Sequence, residues 1–387
     1  MALGCNADAW TQGERLAARG VVVVAINYRL GVDGFLSLRD AVPNRGVLDW
    51  NAALMWVHDN IAAFGGDPGK VTVGGQSAGS FACLTLLADQ RTSGLFRRAV
   101  AMSGIPFNLS TQAEADIQAE ELAARLGVER TADGLASVPY DRLFEVQLEL
   151  APLAGIVPSD PALKVFADMA RWNLWLGPVP DGEVMPVEPL TGIAAGAGAA
   201  QELLVGSTVN EMDSLMEILA GGIDRATAVA ALAGIGLDAP AIDRWFEARG
   251  DCPPAEVLGA ALTAINITRP VQTAAEARFA APAATFVYEV AWQPPTPLRA
   301  VHAIDLPYMF DTTDADGVAL MAGGEPPPSL TKDMSSALVG FVTDGDPGWP
   351  RYNEVDRATM SFDLPSTVRH DPGRVVREVF GPNNHRR

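Results

Sequence analysis

Long apolar runs are missing from this chain. None of its 387 residues falls in an uninterrupted apolar stretch of about 18 or more, so no membrane-spanning helix of ordinary length is written in it. Basic charge is also short: 28 Lys and Arg stand against 47 Asp and Glu, a net charge of −19. A surface so acidic argues against nucleic acid and anionic membrane, which both call for basic patches. Neutral or cationic small molecules are the partners it admits. Cysteine is limited to Cys5, Cys83 and Cys252, an odd number, far apart, with no CxxC or Cys/His ligand spacing. This excludes a disulfide framework and a zinc site, and predicts reduced thiols in a reducing, cytoplasmic compartment. Cys83, on an apolar helix, reads as a core residue. The opening stretch MALGCNADAWTQGERLAARG lacks the basic-then-apolar pattern of a signal peptide. No repeat period is present.

What is present is globular composition, 48% hydrophobic and 19% charged. Strand-like runs alternate with helical ones: strands over 21–28 (VVVVAINY), 71–75, 97–104, 201–207, 284–291 and 358–363, with helices over 46–62 and 78–89. In the first helix Leu48, Ala52, Met55 and Trp56 recur at helical spacing. Alternation of this kind predicts an α/β fold, a mostly parallel sheet with helices on both faces. The stretches 106–199 and 212–282 are helical and rich in alanine. They read as insertions into a single domain over 1–387, whose core takes about 1–105, 200–211 and 283–387.

The chemistry starts at VTVGGQSAGSFACLTLLA, residues 71–88. Gly75-Gln76-Ser77-Ala78-Gly79 is a GxSxG motif, short enough to occur by chance. Its context is specific: a β-branched run before it and an apolar helix after it, the strand-to-helix elbow that lifts a nucleophilic serine clear of a sheet. Side chains at Gly75 or Gly79 would strike the neighbouring strand and helix. The Ala78 N–H, one residue past Ser77, sits at a helix N-terminus and can donate to an oxyanion. The adjacent GGDPGK (65–70) is no P-loop, because its glycine spacing fails and Val71 follows the lysine.

A serine hydroxyl needs a base. The chain has four histidines. His58 lies beside Asp59 on a helix and reads as a surface residue; His370 and His385 fall in a polar tail. His302, in LRAVHAIDLPYMF, remains. The acid belongs between Ser77 and His302 in this order of the chain. Glu211 and Asp213 both sit in LLVGSTVNEMDSLM, just past a strand, and spacing does not choose between them.

The chain resembles the type B carboxylesterases, the cholinesterase-like branch of the α/β-hydrolase fold, and within them the bacterial para-nitrobenzyl esterases. The resemblance is carried by VVVVAINYRLGVDGFL, NRGVLDWNAALMWVHDNIAAFGGDPGKVTVGGQSAGS, LFRRAVAMSG, GPVPDGEVMP, LLVGSTVNE, VHAIDLPYMF and VTDGDPGWPRYN, spread along the chain in family order. It implies a serine esterase acting on small carboxylic esters, with Ser77 as nucleophile and His302 as base. It also implies Glu211 as acid, since Asn210-Glu211-Met212 stands where the family has Asp-Glu-Gly. Ser103 matches a serine that supports the acid, and Arg29 with Asp49 a structural ion pair. The two helical insertions match the gorge walls that set acyl and alcohol size. No cofactor or metal is implied, and a monomer is expected.

The family's remaining oxyanion donors lie in a His-Gly-Gly-Gly-type loop ahead of the region that begins MALGC, and its third strand lies between the counterparts of 21–28 and 71–75. Against the family the chain therefore reads as N-terminally truncated, with Met1 an internal methionine of a longer esterase. The alternative is an impaired or non-catalytic cholinesterase-like binding domain. Strands 21–28 and 71–75 are expected to be left unpaired or to pair with each other.

Overall fold

The structure, a computed structural model, describes residues 4–104, 109–151, 162–170 and 175–381. Six strands form one sheet in sequence order: β1 (Thr72–Gln76), β2 (Arg98–Met102), β3 (Glu202–Thr208), β4 (Thr285–Val290), β5 (Ala358–Phe362) and β6 (Thr367–His370). Strands β1 to β5 run parallel, and β6 returns antiparallel on β5. This is an α/β fold with a mostly parallel sheet between two sets of helices, as the alternation of elements predicts.

The inner strands are short and buried on both faces, so they read as apolar runs. Their alternation sorts side chains between two cores. Ala99, Ala101, Leu203, Val205 and Val287 pack on one face with Trp50, Phe81 and Leu84. Val100, Met102, Leu204, Phe286 and Tyr288 pack on the other with Met334 and Phe341. Helices α1 (Arg45–Asn60) and α2 (Ala78–Ala88) supply the first set, and a long helix over Pro328–Asp344 the second. Helix α2 is apolar all round because it is buried from Ser80 to Leu87. In α1 the buried stripe is Val47, Trp50 and Leu54; Met55 and Trp56 of the expected periodic set are exposed, and Trp56 lies against Phe64. Trp50 decides this facing, held between Tyr28 and Phe35. A third apolar cluster joins the helix Ala162–Ala170 to helices after β3 and includes Trp245, Leu258 and Ala261, with Phe380 edge-on to Trp245.

Two expectations need correction. Residues 21–28 form no strand. A strand exists only through a ladder, and among the described residues no strand pairs with this stretch. Val21 and Val23 pack on the second core while Val22, Val24 and Ile26 are 39–44% exposed. Strand β1 is accordingly an edge, bonded to β2 alone. His370 is not in a loose tail: it ends β6, a strand the periodicity did not suggest, in register with Ala358. His385 lies outside the described residues.

Candidate active site

Parallel strands end on one edge of the sheet, and each of the first four is followed by one residue of the site: Ser77 after β1, Ser103 after β2, Glu211 after β3 and His302 after β4. Residues far apart in sequence thus meet where ligands bind in open α/β sheets.

Ser77 has φ 55° and ψ −114°, a region costly for any residue with a Cβ. The tertiary structure holds it there. Its N–H donates to the Met102 carbonyl at 2.9 Å, continuing the β1–β2 ladder into the turn. A Cβ on Gly75 would lie 2.4–2.7 Å from the Gly79 backbone. The two glycines of the motif therefore differ from the sequence expectation: Gly75 permits the close approach, whereas a Cβ on Gly79 would meet nothing within 4 Å. Ala78 opens α2, so its N–H has no intrahelical acceptor and is free to point into the site.

Glu211 is 3% exposed, and both carboxylate oxygens are used. Oε1 accepts from Ser103 Oγ at 2.7 Å and from the Thr208 N–H at 2.7 Å. Oε2 accepts from His302 Nδ1. Ser103 is fully buried, with φ 49°, and its N–H donates to Gly206 across to β3, so its hydroxyl is fixed from below. Asp213, the other acid, is buried too but makes no hydrogen bond to the histidine among the described residues. It opens helix α3 (Asp213–Ala220), where Asn210 Nδ2 and Thr263 Oγ1 each donate to it at 2.8 Å. Thr263 Oγ1 also accepts from the Met212 N–H, and Asn210 Oδ1 from Gln293 Nε2. Asp213 thus braces the turn from which Glu211 reaches the histidine. Burial pushes Asp213 up to about 6 against the donors around it.

His302 sits on an irregular loop between residues of positive φ, Arg299 and Ala303, with 31% of its side chain exposed. Burial lowers its basicity, but the charge and hydrogen bond of Glu211, and the charge of Asp305, outweigh that, and its pKa is raised. The hydrogen bond on its other nitrogen comes from Gln76, whose Nε2 lies 3.2 Å from His302 Nε2; none joins Ser77 Oγ to the ring among the described residues. Asp305, one helical turn past His302, was not anticipated. It is fully buried, accepts from Tyr288 Oη at 2.8 Å and, among the described residues, leaves Oδ1 without a partner. Burial, then the Glu211 charge, push it up to about 6. The i, i+3 spacing of His302 and Asp305 in VHAIDLPYMF is the signal that could have found it.

Arg29, ahead of α1, forms a bidentate pair at 2.7–2.8 Å with Asp49 on α1, and His58 lies on the surface beside Asp59. Cys83 is buried under the elbow, its thiol pushed up to about 12 by burial, and all three cysteines are free. No three His, Cys, Asp or Glu side chains gather as metal ligands do among the described residues.

A family model described as the carboxylesterase family matches residues 3–230. Para-nitrobenzyl esterase of Bacillus subtilis (strain 168) is 32% identical over 98% of this chain and 77% of its own length. The chain belongs to the carboxylesterase family. Fumonisin B1 esterase of Sphingopyxis macrogoltabida is 29% identical over 90% of this carboxylesterase, which spans 65% of that relative. Among solved structures, carboxylesterase EST55 of Geobacillus stearothermophilus superposes with a TM-score of 0.83 at 29% identity, covering 97% of this chain and 79% of that one. Carboxylic ester hydrolysis is the family's reaction, and this carboxylesterase has no helix among its described residues long and apolar enough to cross a membrane.

Proposed function

We propose that this carboxylesterase hydrolyses small, neutral carboxylic esters through Ser77, His302 and Glu211 by way of an acyl-enzyme. The observation that supports this reading most is the buried Glu211 carboxylate on His302 Nδ1. It fixes the tautomer with hydrogen on Nδ1 and a lone pair on Nε2, the nitrogen on the side of the β1 elbow. His302 Nε2 takes the Ser77 proton as Oγ attacks the ester carbonyl, and the carbonyl π pair moves to oxygen. The Ala78 N–H donates to that oxyanion, with the α2 N-terminus behind it. Collapse expels the alcohol, which leaves with the proton from His302. Water then repeats the sequence on the acyl group. Ser103 Oγ and the Thr208 N–H hold the Glu211 carboxylate in place beneath the ring, and Gly75 permits the bend. The helical stretches 106–199 and 212–282 form the substrate walls of one domain, and the three unpaired cysteines fit a reducing, cytoplasmic compartment.

The test is p-nitrophenyl butyrate hydrolysis together with labelling by a fluorophosphonate. Turnover and label that both vanish in Ser77→Ala are the expected result. Label that persists in Ser77→Ala, or a folded chain that takes none, overturns the assignment of the nucleophile.

A further inference from the structure

Three residues before His302 the backbone is strained. Arg299 has φ 56°, a left-handed conformation that suits glycine and not a residue with a Cβ. It begins a tight turn. Its carbonyl accepts from the Val301 N–H at 2.8 Å, and the Ala300 carbonyl accepts from the N–H of Asn210, the residue before Glu211. What an arginine brings to this position is reach toward two carboxylates. Nη1 and Nη2 donate to Glu256 at 2.6 and 3.0 Å, fork to fork, and Nη2 donates also to Glu217 at 2.9 Å. Both acids belong to the insertion over 212–282: Glu217 is on α3, and Glu256 is on α4 (Pro254–Thr263).

These two helices already hold the acid side of the site. Asp213 and Glu217 are one helical turn apart, and Glu256, Gly259 and Thr263 recur at helical spacing, so each set lies along one face of its helix. Thr263 donates to Asp213 in the turn that carries Glu211. A Cβ on Gly259 would lie 2.5 Å from Asp213 Cα, so the helices meet backbone to backbone. Further along the same faces Glu217 and Glu256 close on Arg299. We propose that Arg299 is a positioning residue: its guanidinium ties the histidine loop to the two helices that brace the Glu211 turn, so that one rigid unit sets both His302 and Glu211. The proposal rests on the reading of His302 and Glu211 given above. A lysine, a point charge without the planar fork, could meet only one carboxylate at a time. The helix pair also belongs to the substrate wall of that reading. An ester that pushes the wall aside therefore draws the ring away from Ser77, and poor fit is felt as lost turnover.

The experiment uses the full chain with Arg299→Met, Arg299→Gly, Arg299→Lys and the double variant Glu217→Gln, Glu256→Gln. The first readout needs no turnover: the low-field proton NMR signal of His302 Nδ1–H on Glu211, which shifts when the geometry of that hydrogen bond changes. The second is kcat and KM for p-nitrophenyl butyrate. Arg299→Met and the double variant should each move the signal and lower kcat about 10- to 100-fold, the effect of roughly an ångström of misplacement, with KM within about twofold of the parent. Combined, they should lose no more than either alone, because both cut one tether. Arg299→Lys should fall between Arg299→Met and the parent. Arg299→Gly relieves the strained φ but cuts the tether, so it should be as slow as Arg299→Met. Parent-like kcat in Arg299→Gly would mean that only the backbone turn matters, and the proposal falls. It falls equally if the signal stays in place while kcat drops, or if the losses multiply in the combined variant. Should Arg299→Met fail to fold, the double variant, which keeps the shape of every side chain, carries the same test. If the signal moves as stated but turnover survives in Ser77→Ala, the tether stands and the assignment of Ser77 is what fails.

Discussion

Changing Glu211 to Gln alters one atom of a buried side chain, yet it should cost more activity than most larger changes. The Glu211 carboxylate accepts three hydrogen bonds, from Ser103 Oγ, the Thr208 N–H and His302 Nδ1. A glutamine has one oxygen to offer. If that oxygen faced His302, the amide NH₂ would point at two buried donors, at about 1–3 kcal/mol for each donor left unsatisfied. The lower-energy orientation keeps the oxygen on Ser103 and Thr208 and turns the NH₂ to the ring. Nδ1 must then become the acceptor, hydrogen moves to Nε2, and the ring can no longer take a proton from Ser77. A carboxylate-to-amide change that reverses the tautomer costs about 10⁴ in kcat, or roughly 5.4 kcal/mol of barrier. The assay is kcat and KM for p-nitrophenyl butyrate across pH 5–9 in Glu211→Gln, with circular dichroism and thermal melting to show that the fold survives. KM should change little, and the acid limb should move down because the charge that raises the His302 pKa is gone. A variant with kcat within tenfold of the parent and an unmoved acid limb would refute the role given to Glu211.

Three further outcomes follow from the same geometry. Gly75→Ala places a Cβ 2.4 Å from the Gly79 backbone and should destabilise the chain by about 3 kcal/mol or more, whereas Gly79→Ala enters open space inside a helix and should hold or raise the melting temperature; equal melting temperatures would contradict the steric account. Asp305 and Asp213 are raised by burial from 3.8 to about 6, so the folded chain binds these protons more tightly than the unfolded chain does. The stability they contribute is complete below about pH 4 and is lost as the pH rises through 6, at most roughly 3 kcal/mol each; urea denaturation of Asp305→Asn should show a smaller fall between pH 4.5 and 7 than the parent, and an equal fall would mean that Asp305 is not desolvated. Thiol titration of the native chain should find Cys5 at once, Cys252 slowly and Cys83 only after denaturation, since Cys5 is exposed, Cys252 partly buried and Cys83 buried; prompt reaction of all three would show the α2 core to be open.

Much of this was legible before any coordinates. A β-branched run, a GxSxG and an apolar helix specify the elbow locally, so Ser77 and the Ala78 N–H could be placed from adjacent residues alone. His302 was reachable because histidine is rare in this chain. Glu211 could be chosen over Asp213 only by resemblance: both lie in one turn, and which reaches the ring depends on Thr263 and Asn210 claiming Asp213, a contact across 50 residues. The same limit hid Asp305, whose burial against Tyr288 is a tertiary fact, and Gln76, whose amide meets a ring 226 positions away. Residues 21–28 misled for the opposite reason. Their β propensity is strong, but propensity describes fitness for a pleated surface, and a strand is made by its neighbour. Gly79 was credited with a steric role because motifs treat flanking glycines alike, whereas of the two it is at Gly75 that a Cβ would strike backbone.

The open side of β1 also bears on how the protein behaves in a tube. Ladder groups left unpaired among the described residues, and exposed apolar side chains such as Val22, Val24 and Ile26, are the features by which folded chains add to one another. What opposes such addition here is long-range repulsion between molecules that each carry a net −19. That repulsion reaches about 10 Å at 0.1 M salt and about 3 Å at 1 M. Concentrated salt, a common choice for storing an acidic enzyme, therefore removes the barrier and leaves the edge, and turbidity that grows with ionic strength at constant pH is the colloidal signature to watch for.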